Sequence, residues 1–310
     1  MRIIVIASFN KGRFAPFVVE QSESLKKVGC EVLFFGLKGK GVWGYLSNLS
    51  LLKRRIDEYK PDVIHAHYGL SGLLASMQRR VPVVTTYHGS DINDGKVWPF
   101  SRLAMRLSAW NVFVSQKTLE KAKPKSRFSL VPCGVDLTAL QLTERQDARQ
   151  MMDLDETKRY VLFSGAFDNQ VKDAALARQS VELLHDKDTE LIELKGYTRE
   201  QVTMLMCASD TLLMTSVSEG SPQVVKEAMA CGCPIVSVDV GDVKERTIGL
   251  DGCFVSEKRE AVELAGLLRK AFDFEGKTDG RQRLLHDGLE NGQVATKIMS
   301  VYKKIANETS

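Results

Sequence analysis

Short apolar, often β-branched runs alternate along the chain with longer segments whose apolar positions recur at helical spacing. Runs at 3–7, 31–35, 63–66, 83–87, 111–114 and 128–131 predict strands. Between the first two, residues 17–28 set Val18, Leu25 and Val28 opposite a polar face and predict a helix. The pattern then restarts, with strands predicted at 160–164, 189–194, 211–215, 234–238 and 253–255. Strands that are apolar throughout are covered on both faces by helices, which is the signature of a parallel sheet. Two such series predict an α/β chain of two doubly wound, Rossmann-like domains. The polar segment Thr143-Glu144-Arg145-Gln146-Asp147 suggests the seam, giving domains 1–143 and 144–293, with a helix at about 294–310 packing back on the first. In open sheets of this kind ligands bind beyond the carboxyl ends of the strands, so the loops that follow strands carry the chemistry.

Composition narrows the class. With 310 residues, 44% hydrophobic and 26% charged, the chain is neither collagen-like, low-complexity nor broadly disordered. Apolar runs fall short of the roughly 18 residues that a membrane-spanning helix needs, and the first residues read as a strand, not a leader. A cytoplasmic protein is expected, at most peripheral at the inner membrane face. The net charge of +4 conceals an asymmetry: residues 1–143 carry 21 Lys/Arg against 10 Asp/Glu, and the remainder 22 against 29. The basic half suits an anionic membrane surface or a phosphorylated substrate, with Leu51-Leu52-Lys53-Arg54-Arg55-Ile56 and residues 117–127 as candidate contacts. Nucleic acid is not expected as a partner, because no basic platform interleaved with aromatic residues is present. The six cysteines form neither a disulfide framework nor paired zinc-ligand spacing, and are expected as buried thiols. His65 and His67 are assigned to opposite faces of a strand, so no metal site is expected from them. His88, beside Gly89 at a strand end, is better placed for function.

The most informative segment runs Glu219-Gly220-Ser221-Pro222-Gln223-Val224-Val225-Lys226-Glu227-Ala228-Met229-Ala230-Cys231-Gly232. Ser221 suits a helix N-cap, Pro222 the first helical position and Gly232 the stop. The free N–H groups of such a helix start, with its dipole, favour an anion. Glu219 before it and Glu227 within it are carboxylates, each able to accept paired hydrogen bonds from a diol.

This spacing resembles the Glu-x7-Glu motif of family 4 (group 1) retaining glycosyltransferases of the bacterial surface-polysaccharide type. Lys60-Pro61-Asp62-Val63-Ile64-His65-Ala66-His67, Thr85-Thr86-Tyr87-His88-Gly89-Ser90-Asp91 and Val131-Pro132-Cys133-Gly134-Val135-Asp136 match that family in order. The resemblance implies a GT-B fold of two facing Rossmann-like domains, acceptor side first and donor side second. It implies transfer of a hexose-type sugar from a nucleotide-diphosphate sugar to a glycan or lipid-linked acceptor, without metal or cofactor, in polysaccharide or lipopolysaccharide biosynthesis. Glu219 would contact the donor sugar, Glu227 the ribose, and Gly220, Ser221 and Pro222 the sugar and diphosphate. His88 would lie near the reacting carbon, Lys172 at the diphosphate, Asn10 and Gly12 in a loop against it, and Tyr197 in the base-binding loop.

One position departs from the family. Where an Arg is expected before Lys172, the sequence has Ala166, and Lys11 or Arg13 of the basic first loop is expected to substitute. A catalytically weakened nucleotide-sugar-binding protein of the same fold is the alternative. A dinucleotide oxidoreductase is set aside on the ground that no strand is followed by a Gly-x-Gly-x-x-Gly loop. An epimerase is set aside for want of acid and base carboxylates.

Overall fold

The structure, a computed structural model, describes residues 1–309. It divides into two compact units, residues 1–134 with 289–309, and residues 135–288. The boundary therefore falls after Gly134, ahead of the expected 143/144, and the chain leaves the second unit at Gly288 instead of at 293.

The first unit opens with β1 (Arg2–Ser8), α1 (Pro16–Lys27), β2 (Glu31–Leu37), α2 (Gly41–Leu46) and α3 (Leu49–Tyr59). It continues with β3 (Val63–His67), α4 (Gly69–Ser76), β4 (Val83–Tyr87), α5 (Ser90–Asn93) and α6 (Trp98–Leu107). β5 (Trp110–Phe113), α7 (Gln116–Ala122) and β6 (Phe128–Leu130) complete its first segment. The strands form one parallel sheet in the order β2-β1-β3-β4-β5-β6. β3 and β4 are buried at every position, as expected of strands covered on both faces. α4 is buried at Gly69 and from Ser71 to Ser76, and it packs closely on α6. A Cβ on Gly69 would lie 2.1 Å from Ser101 Oγ, so only glycine admits that approach.

The second unit runs through α8 (Arg145–Met151), β7 (Arg159–Phe163), a single 3-10 turn (Gln170–Lys172), α9 (Ala174–Glu182) and β8 (Thr189–Glu193). Next come α10 (Arg199–Ala208), β9 (Thr211–Met214), α11 (Gln223–Cys231) and β10 (Ile235–Val238). α12 (Val243–Thr247), β11 (Cys253–Ser256), α13 (Ala261–Phe272) and α14 (Gly280–His286) finish it. Its parallel sheet has the order β11-β10-β9-β7-β8.

The chain then rejoins the first unit as α15 (Asn291–Thr309). Val294, Ala295, Ile298, Tyr302 and Ile305 enter the same apolar core as Ile3, Val5, Val63 and Val112. Ser310, the last residue of the expected terminal helix, lies outside the described residues. Among the described residues no helix is long and apolar enough to cross a membrane.

Candidate functional site

In the first unit, three imidazoles line the carboxyl ends of β3 and β4. His65 and His67 are two residues apart, and strand side chains repeat every two residues, so they share a face. Their rings stack at 4.6 Å, which corrects the assignment to opposite faces. His65 Nδ1 is hydrogen-bonded to Tyr302 Oη at 2.6 Å and its Nε2 to Thr86 Oγ1 at 2.7 Å. His67 Nδ1 meets His88 Nε2 at 3.0 Å, and His88 Nδ1 lies 3.8 Å from Cys133 Sγ. Cys133 is thus a partner of His88. The His67–His88–Cys133 chain has two consistent settings, with its protons displaced together toward either end. Phe17 and Tyr68 pack against His88 as tilted rings, with centroids 4.7 and 4.6 Å away.

Burial keeps His65 and His67 neutral. It pulls His65 down to about 3, and it pulls His67 well below the usual histidine value, with the neighbouring imidazoles adding to the effect. Asp91 is buried beneath the loop. Its Oδ1 accepts from the His88 and Gly89 amides and its Oδ2 from the Gly69 amide, each at 3.0 Å. Burial raises its pKa to about 6, against the lowering effect of those amides. Tyr68 holds φ 72° and ψ 150°, a positive-φ extended conformation that costs a non-glycine residue about 1–3 kcal/mol.

The first loop is tied down differently from expectation. Asn10 Nδ2 donates to Gly39 O at 2.7 Å, and its Oδ1 accepts from Gly39 N at 2.8 Å, so both ends of its amide are engaged by the loop after β2. Gly12, at φ 70°, donates its N–H to Phe9 O at 3.1 Å, and a Cβ there would meet no atom within 4 Å. Gly39-Lys40-Gly41-Val42-Trp43-Gly44 does carry the Gly-x-Gly-x-x-Gly spacing after a strand, correcting the reading that none exists. It opens a helix of only six residues, and Gly39 lies against the Gly44 backbone. That arrangement closes a tight turn and lacks the extended helix start of a dinucleotide loop.

In the second unit, Lys172 Nζ and Glu219 Oε1 are 2.8 Å apart, with side chains 17% and 18% exposed. The turn bearing Lys172 is fastened to the β9 loop by Thr215, whose Oγ1 lies 2.8 Å from Lys172 O and 2.9 Å from Asp173 O. Arg259 adds a second clamp. Its Nη1 donates to Thr215 O and Ser216 O at 2.9 and 2.6 Å, and its Nη2 pairs with Asp173 Oδ2 at 2.6 Å. A Cβ on Gly241 would fall 2.7 Å from Gly220 O, so the β10 loop also presses on this segment.

The α11 cap differs from expectation. Pro222, not Ser221, is the N-cap, and no side chain caps the helix. Ser221 Oγ donates to Asp242 Oδ2 at 2.7 Å instead, beside Arg246 Nε at 3.1 Å from the same oxygen. Pro222 has no N–H, so the backbone amides just ahead of the helix belong to Gly220 and Ser221. Gly232 ends the helix in the left-handed conformation, as the sequence suggested. Glu227 pairs with Arg199 Nη1 at 2.9 Å, and Tyr197 is 39% exposed just ahead of the Thr198 capping box that starts α10. Ala166 adjoins Phe167, whose ring carries the Arg178 guanidinium 4.0 Å above it. Among the described residues no group of three or more His, Cys, Asp or Glu is arranged to hold a metal ion.

The structure thus joins Glu219 with Lys172 and His88 with His67, while Glu227 pairs elsewhere. Arg259, Thr215, Arg199, Asp242 and Tyr302 were not singled out from sequence. Their partners lie far away in the chain, and only Asp91 carried a local signal, in the His-Gly-x-Asp loop.

Two family models match this chain. Glycosyltransferase Family 4 matches residues 2–139 and Glycosyl transferases group 1 matches residues 161–273. The chain belongs to the family 4, group 1 glycosyltransferases, and its two parallel sheets are those of the GT-B fold. A protein of Bacillus subtilis (strain 168), TuaC, named for teichuronic acid biosynthesis, is 30% identical over 63% of this chain and 57% of its own. A D-inositol 3-phosphate glycosyltransferase of Pseudarthrobacter chlorophenolicus is 24% identical over 63% of this chain and 59% of its own. The chain therefore spans less than two thirds of the curated relatives it matches. Among solved structures, sucrose-phosphate synthase of Thermosynechococcus elongatus superposes with TM-score 0.82 at 16% identity, covering 99% of both chains. Anabaena HepE in complex with UDP and glucose gives 0.74 at 17% identity, covering 98% of this chain and all of that one.

Proposed function

We propose that the chain is a retaining glycosyltransferase that moves a hexose-type sugar from a nucleotide-diphosphate sugar to an acceptor hydroxyl. The observation that carries this reading is the half-buried Lys172–Glu219 pair ahead of the uncapped start of α11. An ammonium and the backbone amides of Gly220 and Ser221 suit a diphosphate, and a carboxylate suits sugar hydroxyls. On binding, Lys172 turns from Glu219 to the diphosphate, and Glu219 accepts from the sugar. As the sugar carbon–oxygen bond breaks, its electron pair leaves with the diphosphate, where Lys172 and the amides stabilise the growing charge. The acceptor oxygen bonds to the same face of the sugar, and the leaving phosphate takes its proton. The scheme needs no metal or cofactor. Glu227 is assigned to the ribose after exchanging Arg199 for it, Tyr197 to the base, and His88 to the sugar.

HepE's structures with UDP, with UDP and glucose and with UDP-glucose make those ligands the first to try. The TuaC likeness supports a place in cell-surface polysaccharide or lipopolysaccharide synthesis, with a glycan or lipid-linked acceptor at the inner membrane face. A thermal-shift screen of nucleotide sugars tests the reading. A donor at 100 times its Kd adds about 2.7 kcal/mol of stability, and Lys172→Ala should remove most of that gain. If no nucleotide sugar raises the melting temperature, the proposal fails. Ala166 favours a second reading, a weakened nucleotide-sugar-binding protein. Donor binding with neither transfer nor donor hydrolysis over a panel of acceptors would select it.

A further inference from the structure

The amino-terminal ends of β5 and β6, opposite the strand ends that carry His88, hold a cavity of about 310 Å³. Arg102 and Arg106 of α6 line it from one side, and Lys123, Lys125 and Arg127 of the loop before β6 from the other. No acidic residue lines it, and none of the five cations has an ion-pair partner among the described residues. The floor is fixed by Asn111, which is buried. Its backbone N–H donates to Arg127 O at 2.9 Å, its Nδ2 donates to Met105 O at 3.1 Å, and its Oδ1 accepts from Tyr87 Oη at 3.1 Å. α6, β5 and the 123–127 loop are thereby locked together beneath the cations.

Five like charges around one cavity repel each other, and an anion turns that cost into attraction. Arg102 and Arg106 are one helical turn apart, so their guanidinium forks emerge on the same side of α6. Guanidinium groups match phosphate oxygens in pairs, and lysines add point charges. We propose that this cavity binds a phosphate group, on a soluble phosphate ester or on an anionic lipid headgroup. Leu103 and Leu107, neighbours on α6 and 45% and 37% exposed, are the reason to include the lipid source. The inference is independent of sugar transfer, since it uses none of the residues assigned to that reaction.

The experiment compares the full chain with Arg102→Gln/Arg106→Gln/Arg127→Gln in two arms. One arm titrates inorganic pyrophosphate by calorimetry. The other sediments the protein with vesicles of phosphatidylcholine, with and without phosphatidylglycerol, at low salt. At about fivefold per cation, the triple variant should weaken binding about 100-fold in at least one arm. Pyrophosphate binding lost in the variant supports a soluble phosphate ligand, and lost sedimentation with phosphatidylglycerol vesicles supports a lipid one. Residual pyrophosphate binding at the second unit is common to both proteins and subtracts out. Lys123→Gln/Lys125→Gln, confined to a surface loop, serves if the triple variant does not fold, and should weaken binding about 25-fold. Unchanged binding in both arms, or displacement of both ligands by a single-stranded oligonucleotide at lower concentration, overturns the proposal.

Discussion

The imidazole row of the first unit and the carboxylate–ammonium pair of the second both stand at the carboxyl ends of parallel strands, yet opposite means hold them. His65 and His67 are buried and kept neutral, and their geometry comes from ring stacking and from a core tyrosine on α15. Lys172 and Glu219 form an ion pair, and their geometry comes from backbone clamps made by Thr215 and Arg259. A neutral polar site depends on the packing around it, whereas a charged one depends on its partners. The two should therefore fail under different perturbations.

The largest effect is expected from breaking the charged pair. Lys172→Ala or Glu219→Gln should lower kcat/KM for transfer about 10²–10³-fold, equivalent to about 2.7–4 kcal/mol, with the first unit's acid stability untouched. A matched assay on His67→Gln, which keeps the core volume close, should show that loss only if the row shares the chemistry.

Acid is expected to act on the first unit. His65 binds its proton near 6.5 when unfolded and near 3 when folded, so the unfolded chain takes up more protons as pH falls. Between pH 6.5 and pH 5 that removes about 2 kcal/mol of stability, and His67 acts in the same direction. Asp91 opposes them. Its raised value near 6 means the folded state takes the proton first, returning about 1 kcal/mol between pH 6 and pH 5. Urea midpoints should therefore fall between pH 6.5 and pH 5, and a flat profile would refute the neutral state of His65 and His67.

Arg259→Ala should cost about 1.5 kcal/mol of stability and raise KM for the donor more than it lowers kcat, with partial rescue by Arg259→Lys. If kcat alone fell, Arg259 would be more than a clamp. The smallest effect belongs to Arg199→Ala. Its pair with Glu227 is partly exposed and should contribute below about 1 kcal/mol by denaturant titration, while nucleotide affinity changes little.

The strands were legible because a strand buried on both faces must be apolar at nearly every position, and the Glu219–Glu227 segment was legible because its cap, acids and stop are local. The seam was not, because α15 is claimed by the first unit's core after a long excursion of the chain. Ser221 reads as a cap on propensity, but Asp242 from the next strand's loop competes for its hydroxyl and wins. Arg259 sits in Glu257-Lys258-Arg259-Glu260, a run that reads as solvated surface, and only the fold shows that one of those charges turns inward. The Gly39–Gly44 spacing opens only the short α2, so it makes a tight turn and no cofactor loop.

The return of α15 to the first unit sets an order for biosynthesis. Residues 135–288 hold every strand of the second sheet, so that unit can close as soon as it leaves the ribosome. The first unit cannot, because its core lacks Val294, Ile298 and Tyr302 until residues made after the whole second unit arrive. During synthesis part of its core stays uncovered and His65 lacks its tyrosine partner, a window in which a chaperone has an apolar surface to hold. Because loop-closure entropy grows only with the logarithm of length, the long detour costs little at equilibrium, and its burden falls on timing.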